Sequence, residues 1–545
     1  MAFQGEDLPV ISTFASTPAG GRRSDAREAH DYHSQETQRE TAHASGRPTS
    51  RVSGTRVAQC GEYLRRDPQS GALYQILFEH LETFLARSSE DPARASLPPY
   101  VQRELRGYLN CGVLAHGFCR FHCFACDSDL LVPFSCKGRG FCPSCGGRRM
   151  AEASAHLVDH VFPKVPVRQW VISFPWRLRY LLALDPSLCR DVRKIFLRAV
   201  FSFYARKPST IGIEGGRTGA VNQIQRFGSA LNSNLHFHAL VLDGVYTAPD
   251  SFTPPRFRRT GHITNADVAK LLFTLRSRVL RLCRRRGLME EDTQIDVSAP
   301  GQDQDLLPLL VAASLQGRVA LGPDAGAPVS RLGQPPTHDR RKAPKFKELC
   351  AQLDGFSLHA AVQVEAGEGS RLEHLCRYIT RPPLSSLRLS LNEQGRLVHE
   401  LRAPFKDGTT HFVFDPLVFI ERLAALVPPP RMHQLTYHGV LAPAASRRSE
   451  IVPGSQPPTA PESAGPSASP PTPPRPCNRY SWPELMARVF DVKVLRCGKC
   501  RSRLKWIAAI TEADVIARIL AHLKLECAVR VPRPARPPPQ AELAY

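Results

Sequence analysis

The sequence predicts an α+β protein: one sheet packed against helices, a small cysteine-rich unit before it and a second small unit after it. Three observations carry this reading. Strand-like and helix-like stretches alternate between about residues 165 and 440. Seven of the sixteen cysteines fall between Cys111 and Cys145. Residues 453–476 hold ten prolines in twenty-four positions, a semi-extended linker that sets off a last unit at about 480–528.

The chain has 545 residues, enough for two to four domains at roughly 100–200 residues each. At 42% hydrophobic it has material for real cores, which excludes a wholly disordered chain. Lys and Arg number 72 against 50 Asp and Glu, a net charge of +22 with a pI near 9.6, and the simplest partner for such a chain is nucleic acid. The longest apolar run, Leu306 to Leu315, is about half the roughly twenty residues of a membrane span and contains Pro308, so no membrane partner is expected. The first thirty residues lack a signal-peptide core, so a reducing, cytoplasmic setting is expected. There, close cysteine clusters read as metal sites rather than disulfides.

Taken in chain order, residues 1–56 are polar and aperiodic and read as a disordered tail. A helical and metal-binding domain is expected over 57–150. Tyr74, Leu77, Phe78, Leu81 and Phe84 recur at three- and four-residue steps, one face of an amphipathic helix. Cys123-x2-Cys126, fifteen residues, then Cys142-x2-Cys145 has zinc-ribbon spacing: two turns of paired thiolates close around one structural Zn²⁺. Cys136 and His116 are secondary candidates, and Cys111, Cys119 and His122 are further ones.

The next unit, 165–440, carries two constellations. Asn234 to Gly244 alternates strictly, so it is a strand on which His236 and His238 share a face, with Asp243-Gly244 as a turn signal. Two imidazoles so placed can hold one divalent ion. The strand-like stretch Thr218 to Phe227 could supply an oxygen ligand from Gln225. Between Ser370 and Ile379, a capping box (Ser370, Glu373) opens a helix that Pro382 and Pro383 end. Leu372, Leu375, Cys376 and Ile379 form its buried face; Arg371, His374, Tyr378 and Arg381 lie on another. Arginines around a tyrosine (Arg371, Arg377, Arg381) suit binding of a phosphodiester and ionisation of a phenol whose free pKa is near 10. His359 reads as a core histidine, as do Trp170 and Phe174 as core aromatics. Residues 294–345 read as a mobile excursion. In the last unit Cys497-x2-Cys500 is half a zinc site, with Cys477 and Cys527 as partners at irregular spacing.

The order of these features (zinc ribbon, His-hydrophobe-His strand, one tyrosine helix before a double proline) resembles the HUH-type rolling-circle transposases of IS91-like insertion sequences. The resemblance rests on Phe134-Ser-Cys-Lys-Gly-Arg-Gly-Phe-Cys-Pro-Ser-Cys145, Gln225-Arg-Phe-Gly228, His236-Phe-His238 and Arg377-Tyr-Ile-Thr-Arg-Pro-Pro383. It implies a ferredoxin-like catalytic domain in which His236 and His238 ligate Mg²⁺ or Mn²⁺. Tyr378 would nick single-stranded DNA at the element termini and at target DNA through a 5′-phosphotyrosine. Two-tyrosine members carry Tyr-x3-Tyr; here His374 holds the first position, so either a second subunit contributes or Tyr378 acts twice. A rolling-circle replication initiator or relaxase, and a non-catalytic zinc-ribbon DNA-binding regulator, are the alternative readings.

Overall fold

The computed structural model describes residues 65–89, 96–207, 216–289, 305–333, 348–453, 480–490 and 493–537. The expected tail, 1–56, and the proline-rich linker beyond residue 453 lie outside the described residues, as does Cys477. The architecture is mixed α and β with antiparallel sheets.

Two helices, α1 (Ala72–Arg87) and α2 (Pro99–Leu109), open the described chain. Tyr74, Leu77, Leu81 and Phe84, the periodic face, are buried on α1. A hairpin of β1 (Phe118–Cys123) and β2 (Ser128–Pro133) follows, then helix α3 (Pro143–His160).

The central sheet is built from β3 (Val167–Ser173), β4 (Gly219–Phe227) and β5 (Ser233–Leu242), with later strands added on both sides. β9 (Cys350–Leu353), β10 (Phe356–His359), β11 (Gln363–Val364) and β15 (Leu435–Gly439) complete its seven strands, in the order β15-β4-β5-β3-β10-β9 with β11 also on β3. Every pairing in it is antiparallel. Because side chains alternate along a strand, the sheet has two distinct faces. One bears Trp170, Ile172, Ile224, Phe237, Ala239 and Val241 and belongs to the larger core. That core takes in α4 (Trp176–Leu184), α5 (Pro186–Arg206) and α6 (Asn265–Arg285). The other bears Val167, Val221, Leu240 and Leu242 and is covered by Leu157 of α3, by Val161 just after it and by the tyrosine helix.

Several local expectations change. Asp243-Gly244 does not close a hairpin. Asp243 is buried and its carboxylate accepts from Arg168 and Tyr204, while Gly244 starts β6 (Gly244–Thr247) against β7 (Arg256–Arg259). A Cβ at Gly244 would stand 2.3 Å from the Arg258 carbonyl oxygen, so the position needs glycine for close approach. The excursion at 294–345 contains, among its described residues, helix α7 (Leu306–Gln316) and β8 (Ser330–Gly333). β8 joins β12 (Leu389–Leu391), β13 (Leu397–Glu400) and β14 (Thr409–Phe414) in a second sheet. Trp170 and Phe174 are fully buried, as expected of core aromatics.

The tyrosine helix α8 (Gly369–Thr380) is followed by α9 (Pro416–Leu426). After the linker come α10 (Trp482–Phe490), β16 (Lys505–Ile510) and α11 (Ala513–His522). The C-terminal unit folds back on the front of the chain: β16 pairs with β1 in a sheet of order β16-β1-β2, and Ile516 and Leu520 pack on Leu114, Phe118 and Leu131. No described helix is long and apolar enough to cross a membrane.

Candidate active site and cysteine clusters

The histidine strand β5 runs between β4 and β3, so its side chains are fixed by ladders on both sides. Across these ladders His236 lies opposite Gln225 and Ser173, and His238 opposite Gln223 and Val171. Directly opposed residues point to the same face, so Gln225, His236 and His238 converge on the face that the tyrosine helix covers. The two imidazoles are buried, with ring centroids 4.9 Å apart. His359 stands opposite Val171 on β10 and therefore shares the face of His238.

Hydrogen bonds set the tautomers. His236 Nδ1 donates to the Asn234 carbonyl at 2.8 Å, which leaves its lone pair on Nε2. His238 Nδ1 lies 2.7 Å from the Gln169 side-chain amide. The Gln169 Nε2–H₂ group faces it, so Nδ1 accepts and the neutral ring keeps its proton on Nε2. Turning the Gln169 amide over would give its buried, unpartnered Oε1 the Nδ1 proton and free the Nε2 lone pair for a metal. Burial first, then the neighbouring His236, Arg381 and His359, holds His238 well below the usual imidazole range, so it is neutral at neutral pH. Gln225 donates through Nε2 to the Tyr378 and Ile379 carbonyls (3.3 and 2.9 Å), and its Oε1 is buried without a hydrogen-bond partner. Two buried imidazoles and the buried Gln225 amide oxygen form a donor set that fits a divalent cation keeping some of its water.

The tyrosine helix is held on the sheet by Leu372, Leu375, Cys376 and Ile379, all buried as the periodicity predicts. Tyr378 is buried with them rather than on a separate face, its ring edge-on to His238 at 5.9 Å between centroids. The Arg381 guanidinium stacks over the Tyr378 ring at 4.6 Å. The capping box is not formed: no side chain caps the helix, and Glu373 instead pairs with Arg377 at 2.5 Å and with Arg488 of α10 at 2.8 Å. Arg371 is exposed and pairs with Glu368 at 3.2 Å; His374 is also exposed.

The cysteines divide differently from the single ribbon of the sequence reading. Cys142 and Cys145 join Cys111 and Cys136, whereas Cys123 and Cys126 join Cys497 and Cys500. In the first cluster Cys111–Cys142, Cys111–Cys145 and Cys136–Cys145 sulfurs are 3.6, 3.8 and 3.5 Å apart; in the second, Cys123–Cys500 and Cys126–Cys497 are both 3.4 Å. Four thiolates about 2.3 Å from one zinc ion lie about 3.8 Å from one another, so both sets fit a structural Zn²⁺. His116 belongs to neither cluster, and Cys527 is exposed and also outside both. The reason for the regrouping is topological. β1 and β2 form a hairpin that carries Cys123 and Cys126 to the tip where β16 arrives, while Cys142 and Cys145 sit at the start of α3.

That start of α3 touches the tyrosine helix. A Cβ on Gly146 would be 2.5 Å from Cβ of Pro382, the residue after Arg381. The residue after Cys145 of the first cluster is thus packed against Pro382, two residues past the end of the tyrosine helix.

Two known families match the chain. The family described as "Transposase zinc-binding domain" matches residues 76–174, and the family described as "Putative transposase" matches residues 219–450. The first match spans all of the Cys111 cluster and half of the second; the other spans Gln225, His236, His238 and Tyr378. No curated protein and no solved structure matches the chain. With both matches in this order, and with four-cysteine clusters that fit zinc, the chain belongs to the IS91-like transposases and carries their N-terminal zinc-binding domain.

Proposed function

We propose that this transposase nicks and rejoins single-stranded DNA by a rolling-circle mechanism, with Tyr378 as nucleophile and a 5′-phosphotyrosine as the intermediate. The observation that carries the reading is the convergence on one sheet face of His236, His238 and Gln225 with the Tyr378 ring against His238. In the reaction Tyr378 Oη attacks phosphorus, the new O–P bond forms as the bond to the 3′-oxygen breaks, the phenol gives up its proton and the 3′-oxygen gains one. Arg381, stacked on the ring, favours the ionised phenol and faces the phosphate charge. His236, His238 and Gln225 would hold Mg²⁺ or Mn²⁺, which when bound supplies Lewis-acid polarisation of the scissile phosphate. Gln225 has a second part: its amide N–H₂ ties the Tyr378 and Ile379 carbonyls to the strand, fixing the nucleophile relative to the histidines. Attack of a 3′-hydroxyl on the adduct reverses the first step and joins strands without ATP, because the bond energy is kept in the tyrosine ester.

The test is a covalent-adduct assay with labelled single-stranded DNA from the flanks of the gene, resolved on a denaturing gel with Mn²⁺ or EDTA. An EDTA-sensitive shifted band is expected, lost by at least about a thousandfold in Tyr378→Phe and strongly reduced in His236→Ala. A band that survives Tyr378→Phe moves the nucleophile elsewhere. DNA binding with no adduct on any strand favours the regulator reading.

A further inference from the structure

The second cysteine cluster is assembled from the two ends of the chain, and its C-terminal half, Cys497 and Cys500, lies outside both matched regions. The surface it presents is unusual in charge. Between Lys493 and Lys505 stand Lys493, Arg496, Lys499, Arg501, Arg503 and Lys505, all exposed, with no acidic residue among them. None of the six enters an ion pair among the described residues. On the facing knuckle, Asp127 lies 3.4 Å from His122.

Two large aromatic rings accompany this charge in the open: Phe124 is 68% and Trp506 60% exposed. Their places follow from the ladder. Lys505 is opposite His122 and Trp506 opposite Phe121, so the two successive side chains leave opposite faces of β16. Phe124 lies with the Lys505 ammonium over its ring at 5.2 Å and His122 at its edge at 4.7 Å. The rings therefore stand on either side of β16, an edge strand of its sheet.

We infer that this zinc-clasped knuckle is an auxiliary grip for single-stranded DNA, with Phe124 and Trp506 stacking on unpaired bases and Arg501, Arg503 and Lys505 meeting phosphates. Aromatic rings interleaved with unpaired cations match the two needs of a single strand, a stacking platform and a charge track. A flexible strand can round the edge of β16 and reach both rings. Duplex DNA, stiff over about 150 base pairs and with its bases already stacked, cannot. The site lies on a different sheet from His236 and His238, so its residues are separate from the proposed chemistry.

The inference rests on the proposed reading that single-stranded DNA is the substrate, and its test separates the two. The full chain, zinc-loaded and carrying Tyr378→Phe, is titrated into a fluorescein-labelled oligo-dT of about twenty nucleotides, longer than the roughly 4–16 that one small domain covers. The double variant Phe124→Ala/Trp506→Ala is expected to bind about tenfold or more weakly. The triple variant Arg501→Gln/Arg503→Gln/Lys505→Gln should lower the log–log salt slope by about two. Zinc per chain should be unchanged in both, and a duplex of the same length should compete poorly. Binding within twofold of the parent in the double variant, an unchanged salt slope in the triple variant, or equal competition by duplex overturns the inference. Oligo-dT binding through these residues with no adduct in the otherwise wild-type chain sinks the nickase reading alone. Adduct formation with oligo-dT binding unaffected by the double variant sinks this inference alone.

Discussion

The two cysteine clusters offer the same four thiolates and differ in where the chain collects them. The first draws Cys111, Cys136, Cys142 and Cys145 from one stretch and hands its order to α3, whose Gly146 abuts Pro382 at the end of the tyrosine helix. The second draws on Cys123 and Cys126 and, more than 370 residues later, on Cys497 and Cys500. A local cluster fixes the geometry of its neighbours; a composite one fixes which distant segments meet. The first cluster should therefore matter to the chemistry at Tyr378, and the second to the docking of the C-terminal unit.

The largest expected effect separates the two directly. Cys142→Ser should cost one zinc per chain and with it much of the order of the N-terminal domain, since a structural zinc site contributes on the order of 10 kcal/mol to a small domain. Adduct formation should fall with it. Cys500→Ser should also cost one zinc, yet leave the main thermal transition, and the adduct rate at saturating DNA, near those of the parent. Metal analysis, a melting curve and the adduct gel check both; equal loss of adduct in the two variants breaks the comparison.

A smaller effect sharpens it. Gly146→Ala puts a methyl group into Pro382 and should destabilise by about 1–3 kcal/mol, slowing adduct formation while both zinc ions stay bound. Unchanged kinetics would show that the contact does not position the nucleophile.

Acid should act on the central and second sheets before it reaches the carboxylate pairs. His399 and His438 are both pushed down to about 4, chiefly by burial. The unfolded chain takes up these protons from about pH 6.5 downward while the folded chain does not, so stability should fall as pH drops from about 6.5 toward 4. Glu421, raised to about 7 by burial, works against this trend, because its folded form keeps a proton that the unfolded form loses above about 4.5. Melting temperatures across this range check the net sign, and a Glu421→Gln variant should steepen the acid loss.

The smallest effect is expected at Arg371, whose exposed pair with Glu368 at 3.2 Å is of the kind that contributes about 0.2–1 kcal/mol or less. Arg371→Ala should leave the melting temperature nearly unchanged, and any loss it causes should appear in DNA affinity, read by the same oligo-dT titration.

Much of the site's neighbourhood is legible in the sequence because it rests on local periods. Alternation over 234–242 places His236 and His238 on one face, and the 3.6-residue period finds the buried residues of the tyrosine helix. Gln225 opposite His236 follows from an antiparallel hairpin. What stays hidden depends on tertiary partners. CxxC spacing names cysteine pairs without saying which pairs share an ion, so it joins Cys123 and Cys126 to Cys142 and Cys145, whereas the pairing of β16 with β1 brings them Cys497 and Cys500. Tyr378 reads as surface on the helical wheel because the wheel cannot show a strand of histidines beneath it. Asp243-Gly244 reads as a turn because the buried partners of Asp243, Arg168 and Tyr204, lie far off in sequence. The second sheet is built of strands of three to six residues, too short for a period to emerge.

Mapping the covalent bond tests directly whether Tyr378 is the nucleophile. The protein is incubated with its single-stranded DNA substrate and Mn²⁺, digested with nuclease and trypsin, and the cross-linked peptide is sequenced by mass spectrometry. A nucleotide 5′-phosphate is expected on Tyr378, in the peptide that begins after Arg377, and in strongly reduced amount when His236 is replaced by Ala. A nucleotide on any other residue, or strand cleavage with no peptide adduct at all, would contradict it.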